Sequence, residues 1–409
     1  MPTGTTDHDF VFVADDVYPR QRRLFDDYEA YLLNTIKDAY DRRGRFWKRD
    51  FSSPEAYAAS VVPNRQHFLD DLGGWPWERQ DLNLEIQPIR EFEAFRLERA
   101  SYRLFDRIDV DALLLTPHGD GPFPAILAQV GVNGAPERIC GFEEGHADWT
   151  CIPYRAIGKR LAAHGYVVIA TRMVTGFDPA RVRDLDHRAF HLLTPAQQEI
   201  REYILEKYGK DEAKSWAPQS RARNYINRLC WTLNRHIYGM EMFALSRAVD
   251  VLAGLPQVDA ERIGMYGLSQ GGLSATFLGA LETRLKAVVA SAYFNERFNK
   301  QVVPSEHYGR FVDTSSEDHI YSHLSEFADS DLASLICPRG FFVEDGKLDG
   351  SVWYPLAQQA FAEVKAIYDR LGIPDRCGIC IHEGGHETEP VEDVAGIKAV
   401  QFLDRLLEP

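Results

Sequence analysis

The chain has 409 residues, 45% of them hydrophobic, 26% charged and 12% aromatic, which excludes a disordered chain and allows a large core. The formal net charge of -15 argues against nucleic acid or an anionic membrane surface as the main partner. No run of 18 apolar residues is present, and the first residues, MPTGTTDHDFVFVADD, lack the basic start and apolar core of a secretory signal. Six cysteines are too sparse for a disulfide framework and read as reduced thiols, so a cytoplasmic location is expected.

Residues 1 to about 75 read mostly helical. YPRQRRLFDDYEAYLLNTIKDAYDRRGRFW places apolar residues at helical spacing with charges opposite. WPWERQDLNLEIQP breaks that pattern. From Phe95 the period changes to two: AFRLERASYRLF and IDVDALLLTP read as strands, and PAILAQVGV follows the turn PHGDGPFP. Then come YRAIGKRLAAHG (helix), YVVIATRM (strand), a helix from about Trp231 to Leu255, and RIGMYGLS (strand). LSATFLGALET (helix), LKAVVASAYF (strand), RGFFVED (strand), YPLAQQAFAEVKAIYDRLG (helix), RCGICIHEG (strand) and VAGIKAVQFLDRLLE (helix) complete the chain.

Alternating strands and helices predict a mostly parallel, eight-stranded sheet flanked by helices. The expected organisation is a helical N-terminal extension over 1–92 and an α/β domain over 93–409. Helical insertions at about 174–230 and 295–335 break the alternation, in positions that often shape a substrate entrance. Cys377 and Cys380 imitate a metal or redox pair, but on a strand they point to opposite faces.

Gly267-Leu268-Ser269-Gln270-Gly271 lies between the strand RIGMY and the helix LSATFLGAL. Gly-x-Ser-x-Gly in that context is a nucleophile elbow, a sharp turn that presents the Ser hydroxyl at the C-terminal edge of a sheet. A serine needs a base, and the base an orienting acid, after later strands. Asp349 follows the strand RGFFVED, with Glu344 and Asp345 as rivals nearer the strand. His386 stands in HEGGHE, off the last strand. That stretch also fits His-Glu-x-x-His, whose two His would bind zinc from one helix face. Two glycines and the preceding β-like run oppose a helix, so His386 is expected as general base and His382 as structural. His187 and His191 sit at helical spacing without an adjacent Glu. Oxyanion donors are expected from the backbone of Gln270 and of Val132, with Asn133 second. Asn133, Arg172 and Asn295, with Arg297, follow strands on the same edge and are candidate substrate contacts.

These residues resemble the α/β-hydrolase superfamily. RIGMYGLSQGGLSATFLGALETRLKAVVA is similar to the elbow region of the acetyl xylan esterase and cephalosporin C deacetylase family. So are Gly385-His386-Glu387 and the Gly346-to-Asp349 loop, and the family's oxyanion loop aligns with Val130 to Gly134. The resemblance implies a Ser269, Asp349, His386 triad with Val132 and Gln270 amides as the oxyanion hole. The family's Arg-Gly-Gln appears as Arg172-Met173-Val174, keeping only the Arg, and the oxyanion loop lacks its His and Tyr. Dienelactone hydrolases share the layout but carry Cys where this chain has Ser269. Glucuronoyl esterases place Arg where it has Gln270.

The expected function is a serine-dependent carboxylic ester hydrolase working through an acyl-enzyme, a deacetylase of carbohydrate or small-molecule esters. That chemistry requires no metal or organic cofactor, and a homo-oligomer is compatible with the chain. The rival readings are a serine peptidase of the prolyl oligopeptidase type, a non-catalytic binding protein on this fold, and a metalloprotease through HEGGH.

Overall fold

The computed structural model describes residues 14–75, 77–132, 134–173, 226–303, 320 and 323–409. Among these residues nine strands form one sheet: β1 Glu85–Glu91, β2 Phe95–Phe105, β3 Ile108–Pro117, β4 Phe123–Gln129, β5 Val167–Thr171, β6 Val258–Leu268, β7 Leu285–Ser291, β8 Gly340–Gly346 and β9 Cys377–His382. The helices are α1 Ala14–Asp41, α2 Pro54–Ser60, α3 Val62–Asp71, α4 Pro136–Ile139, α5 Ile157–Ala163, α6 Ile237–Gly254, α7 Gln270–Leu281, α8 Arg297–Gln301, α9 His323–Glu326, α10 Asp329–Ser334, α11 Tyr354–Arg370 and α12 Lys398–Leu407.

Eight of the nine strands are those the periodicity predicts. The ninth, β1, corrects the strand count; it lies in the N-terminal 1–92, beyond the part that reads mostly helical. It pairs with β2 as an edge strand, all seven residues are exposed, and Pro88 interrupts it with a register shift. An edge strand with no buried face gives no alternation to read.

The strand order is β1-β2-β3-β5-β4-β6-β7-β8-β9. The first pairings are antiparallel through β3–β5, and every pairing from β5 across to β9 is parallel. Both faces of the parallel part are buried. Ala125, Leu127, Met265, Val288 and Val343 point into one core, and Ile126, Ala128, Tyr266, Val289 and Phe342 into the other. Such strands read as continuous apolar runs because each face meets helices. The N-terminal helices join the first core: Tyr57, Phe68 and Leu72 are fully buried there, and the Phe68 ring meets Phe277 of α7 edge-on at 5.1 Å.

The order reverses at β4, which has β5 on one side and β6 on the other. The crevice at the C-terminal ends of β4 and β6 is therefore the topological switch point, where open α/β sheets bind ligands. The loops after β4, β6, β8 and β9 all leave from that edge.

Candidate active site

Ser269 stands between β6 and α7 with φ +62° and ψ -123°, a conformation that non-glycine residues rarely adopt. Two glycines permit the turn. A Cβ on Gly267 would lie 1.9 Å from the Gly271 carbonyl oxygen, and one on Gly271 would lie 2.1 Å from the Gln129 carbonyl oxygen. The helix start is thus drawn against both β6 and β4. The Ser269 N–H donates to the Ser291 carbonyl at 2.9 Å, fixing the elbow to the end of β7. Gln270 opens α7, so the partial positive charge of the helix N-terminus lies at the serine.

The loop after β4 passes directly over this point. A Cβ on Gly131 would come 2.9 Å from Ser269 Cβ, and the Gly131 N–H donates to Tyr154 Oη at 2.9 Å. Val132, the next residue, is exposed. Asn133 lies outside the described residues, as do His187 and His191.

The loops after β8 and β9 are tied to each other through backbone. Lys347 N–H donates to the His382 carbonyl and Leu348 N–H to the Gly384 carbonyl, both at 2.9 Å. This crossing brings Asp349 to His386: His386 Nδ1 lies 2.7 Å from Asp349 Oδ2. The Asp349 side chain is fully buried, and its other oxygen accepts from the N–H groups of Ser351 at 2.6 Å and Val352 at 3.2 Å. The carboxylate is oriented by backbone on one side and the imidazole on the other.

The rival acids point elsewhere. Glu344 and Asp345 are neighbours on β8, so they face opposite sides of the sheet. Neither has a hydrogen bond to His386 among the described residues. Glu344 Oε2 accepts from Tyr266 Oη and Ser291 Oγ, both at 2.6 Å, and Oε1 from Glu389 N–H at 3.3 Å. Both oxygens of Asp345 are buried, and no side chain among the described residues hydrogen-bonds to them. Burial, and then the nearby Asp349 carboxylate, push the Asp345 carboxyl well above the usual range.

HEGGHE forms a bend after β9, so the helix a zinc-binding His-Glu-x-x-His requires does not form. Both nitrogens of His382 are engaged with backbone: Nε2 lies 3.0 Å from the Glu387 carbonyl, and Nδ1 accepts from Gly384 N–H at 3.1 Å. Donation from Nε2 and acceptance at Nδ1 assign His382 as a neutral tautomer that staples the loop. Cys377 and Cys380 pack into opposite cores, and burial pushes both thiols up to about 12, against a redox or metal role. A close grouping of metal-ligating side chains does occur at His67, Asp71 and Glu326, which shares no residue with HEGGHE.

Among the described contacts, Arg172 and Asn295 are not brought to this cluster. Arg172 pairs with Glu137 at 2.6 Å and lines a hollow of about 210 Å³ with Arg99 and Asp111. Asn295 is fully buried; its N–H donates to Asp329 Oδ2 at 3.1 Å and its Oδ1 accepts from Glu296 N–H at 2.9 Å. Arg297 is buried against the same Asp329 at 2.8 Å. Sequence reading also missed what supports the His386 loop. Arg155 forms a buried ion pair with Glu387, and Glu387 Oε1 accepts from Gly385 N–H at 3.1 Å. The parity of β8 was the one sequence signal separating Glu344 from Asp345. Nothing local marks Arg155, which meets Glu387 from 232 residues away.

The acetyl xylan esterase (AXE1) family model matches residues 196–355, a stretch that contains the elbow and Asp349 and ends before His386. YtaP of Bacillus subtilis (strain 168), which is named as a hydrolase, is 23% identical over 346 residues, covering 84% of this chain and 98% of YtaP. Among solved structures, BF1801 of Bacteroides fragilis NCTC 9343, described as an acetyl xylan esterase, superposes with TM-score 0.60 at 17% identity, covering 88% of this chain and 86% of that one. A glucuronoyl esterase from Solibacter usitatus gives 0.53 at 15% identity, over 85% and 94%. The chain has the α/β-hydrolase fold. At these identities the structural likeness is one of fold. The chain carries its strained serine, and the acid–histidine pair, on the sheet edge where that fold presents its chemistry.

Proposed function

We propose that this α/β-hydrolase is a serine carboxylic ester hydrolase, a deacetylase of carbohydrate or small-molecule esters, acting through Ser269, His386 and Asp349. The observation that carries the reading is the 2.7 Å contact between His386 and the buried Asp349, on the same sheet edge as the strained Ser269. In this reading Ser269 Oγ attacks the ester carbonyl while His386 Nε2 takes its proton. Asp349 holds the Nδ1–H tautomer and stabilises the imidazolium. The amides of Gln270 and Val132 face the developing oxyanion. His386 returns the proton to the leaving alcohol, and water releases the acid by the reverse path. The sequence match to the acetyl xylan esterase model supports a small acyl group and a carbohydrate alcohol. A cytoplasmic location belongs to the same proposal.

The test is hydrolysis of p-nitrophenyl acetate by wild type and Ser269→Ala, each with and without EDTA. The proposal expects activity that survives EDTA and falls about 10⁴-fold or more in the folded variant. Activity that survives in Ser269→Ala would sink it.

A further inference from the structure

We infer that Glu344 is a positioning residue for the proposed reaction, a single buried carboxylate that holds the nucleophile strand and the His386 loop in register. The inference rests on the serine hydrolase reading and adds a residue to it.

Three donors converge on this group from three elements. Tyr266, three residues before Ser269 on β6, donates its hydroxyl at 2.6 Å. Ser291, at the end of β7, donates its hydroxyl at 2.6 Å, and its own carbonyl accepts the Ser269 N–H at 2.9 Å. Glu389, three residues after His386, donates its backbone N–H at 3.3 Å. The connection continues to the oxyanion loop. Thr388 Oγ1 lies 2.9 Å from Tyr266 Oη and 3.3 Å from the Tyr154 carbonyl, and Tyr154 Oη holds the Gly131 N–H at 2.9 Å. Glu344, Tyr266, Ser291 and Thr388 are all fully buried. The His386 loop is thus one hydrogen bond from this carboxylate, the Ser269 N–H two and the oxyanion loop four.

The residue type follows from the donors. An ionised carboxylate accepts from both hydroxyls and the amide at once without any of them reorienting. Glutamine would turn an NH₂ toward the Glu389 N–H or a hydroxyl proton, and aspartate is one methylene short. Burial raises the Glu344 carboxyl, while the Ser291 and Tyr266 hydroxyls and the Glu389 amide oppose that rise. A merely structural role would show in stability. A positioning role shows in the chemistry of protein that is still folded, because small misplacements of reacting groups are costly.

The experiment measures the rate at which a fluorophosphonate labels Ser269, together with kcat and KM on p-nitrophenyl acetate, with thermal unfolding on each variant. In Glu344→Gln, labelling and kcat are expected to fall about 10–100-fold with KM within about threefold. Tyr266→Phe and Ser291→Ala each remove one donor and should slow labelling several-fold. Combined with Glu344→Gln they should add less than about twofold, because the three act as one unit. Folded Glu344→Gln with labelling and kcat within about twofold of wild type overturns the inference, as does a loss confined to Tm. If Glu344→Gln does not fold, Tyr266→Phe decides in its place: slower labelling supports the role, and unchanged labelling overturns it. Wild type that neither labels nor hydrolyses the ester overturns the serine hydrolase reading itself, before any variant is compared.

Discussion

The elbow at the end of β6 and the paired loops after β8 and β9 are built by opposite means. The elbow is held by exclusion. Gly267 and Gly271 leave no room for a Cβ, and Ser269 has no side-chain cap bond to the helix it opens. The loops are held by bonds. Asp349 accepts two backbone N–H groups, His382 uses both ring nitrogens on the chain, and Glu387 is buried against Arg155. Exclusion is all-or-none, because an added atom has nowhere to go. Bonds are graded, because each is one of several. The two regions should therefore fail differently.

The largest effect expected from the loops is functional. His386→Ala should lower kcat about 10⁴-fold, and stability within about 1 kcal/mol, since the imidazole is half-buried and its one described bond is to Asp349. Ester hydrolysis and urea unfolding on the same preparation check both. The elbow should lose both properties together. Gly271→Ala places a methyl 2.1 Å from the Gln129 carbonyl oxygen, and backbone cannot give way as a side chain would. A loss of about 3 kcal/mol or more, with no Ser269 labelling in what remains folded, is expected. A stable, active Gly271→Ala protein would remove the distinction between the two regions.

His382→Ala tests the graded side. It leaves the Glu387 carbonyl and the Gly384 N–H of a partly buried loop without their partners, which should cost about 1–3 kcal/mol. Activity should fall only a few-fold, since Asp349 and the Lys347 and Leu348 crossing bonds remain. Equal loss of activity in His382→Ala and His386→Ala would mean that the two histidines of HEGGHE share one role.

Asp345 sharpens the comparison from the other face of β8. It is buried, no side chain among the described residues hydrogen-bonds to it, and its carboxyl is raised by burial and by Asp349. The folded state keeps this proton where the unfolded chain has lost it. Stability therefore falls as pH rises from the usual carboxylate range up through the raised folded value. Asp345→Asn removes that slope and should stabilise the protein by about 1 kcal/mol at pH 8, read from urea unfolding at pH 5 and pH 8. The same slope in both proteins would show that Asp345 is not the group that titrates.

What the sequence makes legible follows the same division. The elbow is marked locally: Gly267, Ser269 and Gly271 stand within five consecutive residues between a strand and a helix, so Ser269 is readable from the motif even though the carbonyl that excludes a Cβ at Gly271 belongs to Gln129. The doubly buried strands are readable from their apolar runs, and β1 is not, because it buries neither face. The acid is ambiguous between Glu344, Asp345 and Asp349 because the deciding event is a long-range crossing. Lys347 and Leu348 bond to His382 and Gly384, and only that pairing turns Asp349 toward His386. The roles of Arg155, Ser291 and Tyr154 are hidden for the same reason, since each acts on a partner distant in sequence. For Arg172 and Asn295 the sequence offers only their position after a strand, and a strand end gives a residue's place on an edge without giving its contacts.

The smallest expected effect separates buried bonds from exposed ones in the loops themselves. Lys347 and Glu383 form an ion pair between the same two loops that carry Asp349 and His386. Both side chains are exposed, Glu383 at 82%, so water and salt screen the attraction and ordering two flexible side chains opposes it. The crossing is already made by the two backbone bonds beside them. Glu383→Gln should therefore leave kcat within about twofold and Tm within about a degree, at low and at high salt alike. A salt-sensitive loss of activity in this variant would mean that the loops are aligned from the surface. The buried bonds of His382, Asp349 and Glu387 would then be consequences of that alignment instead of its cause.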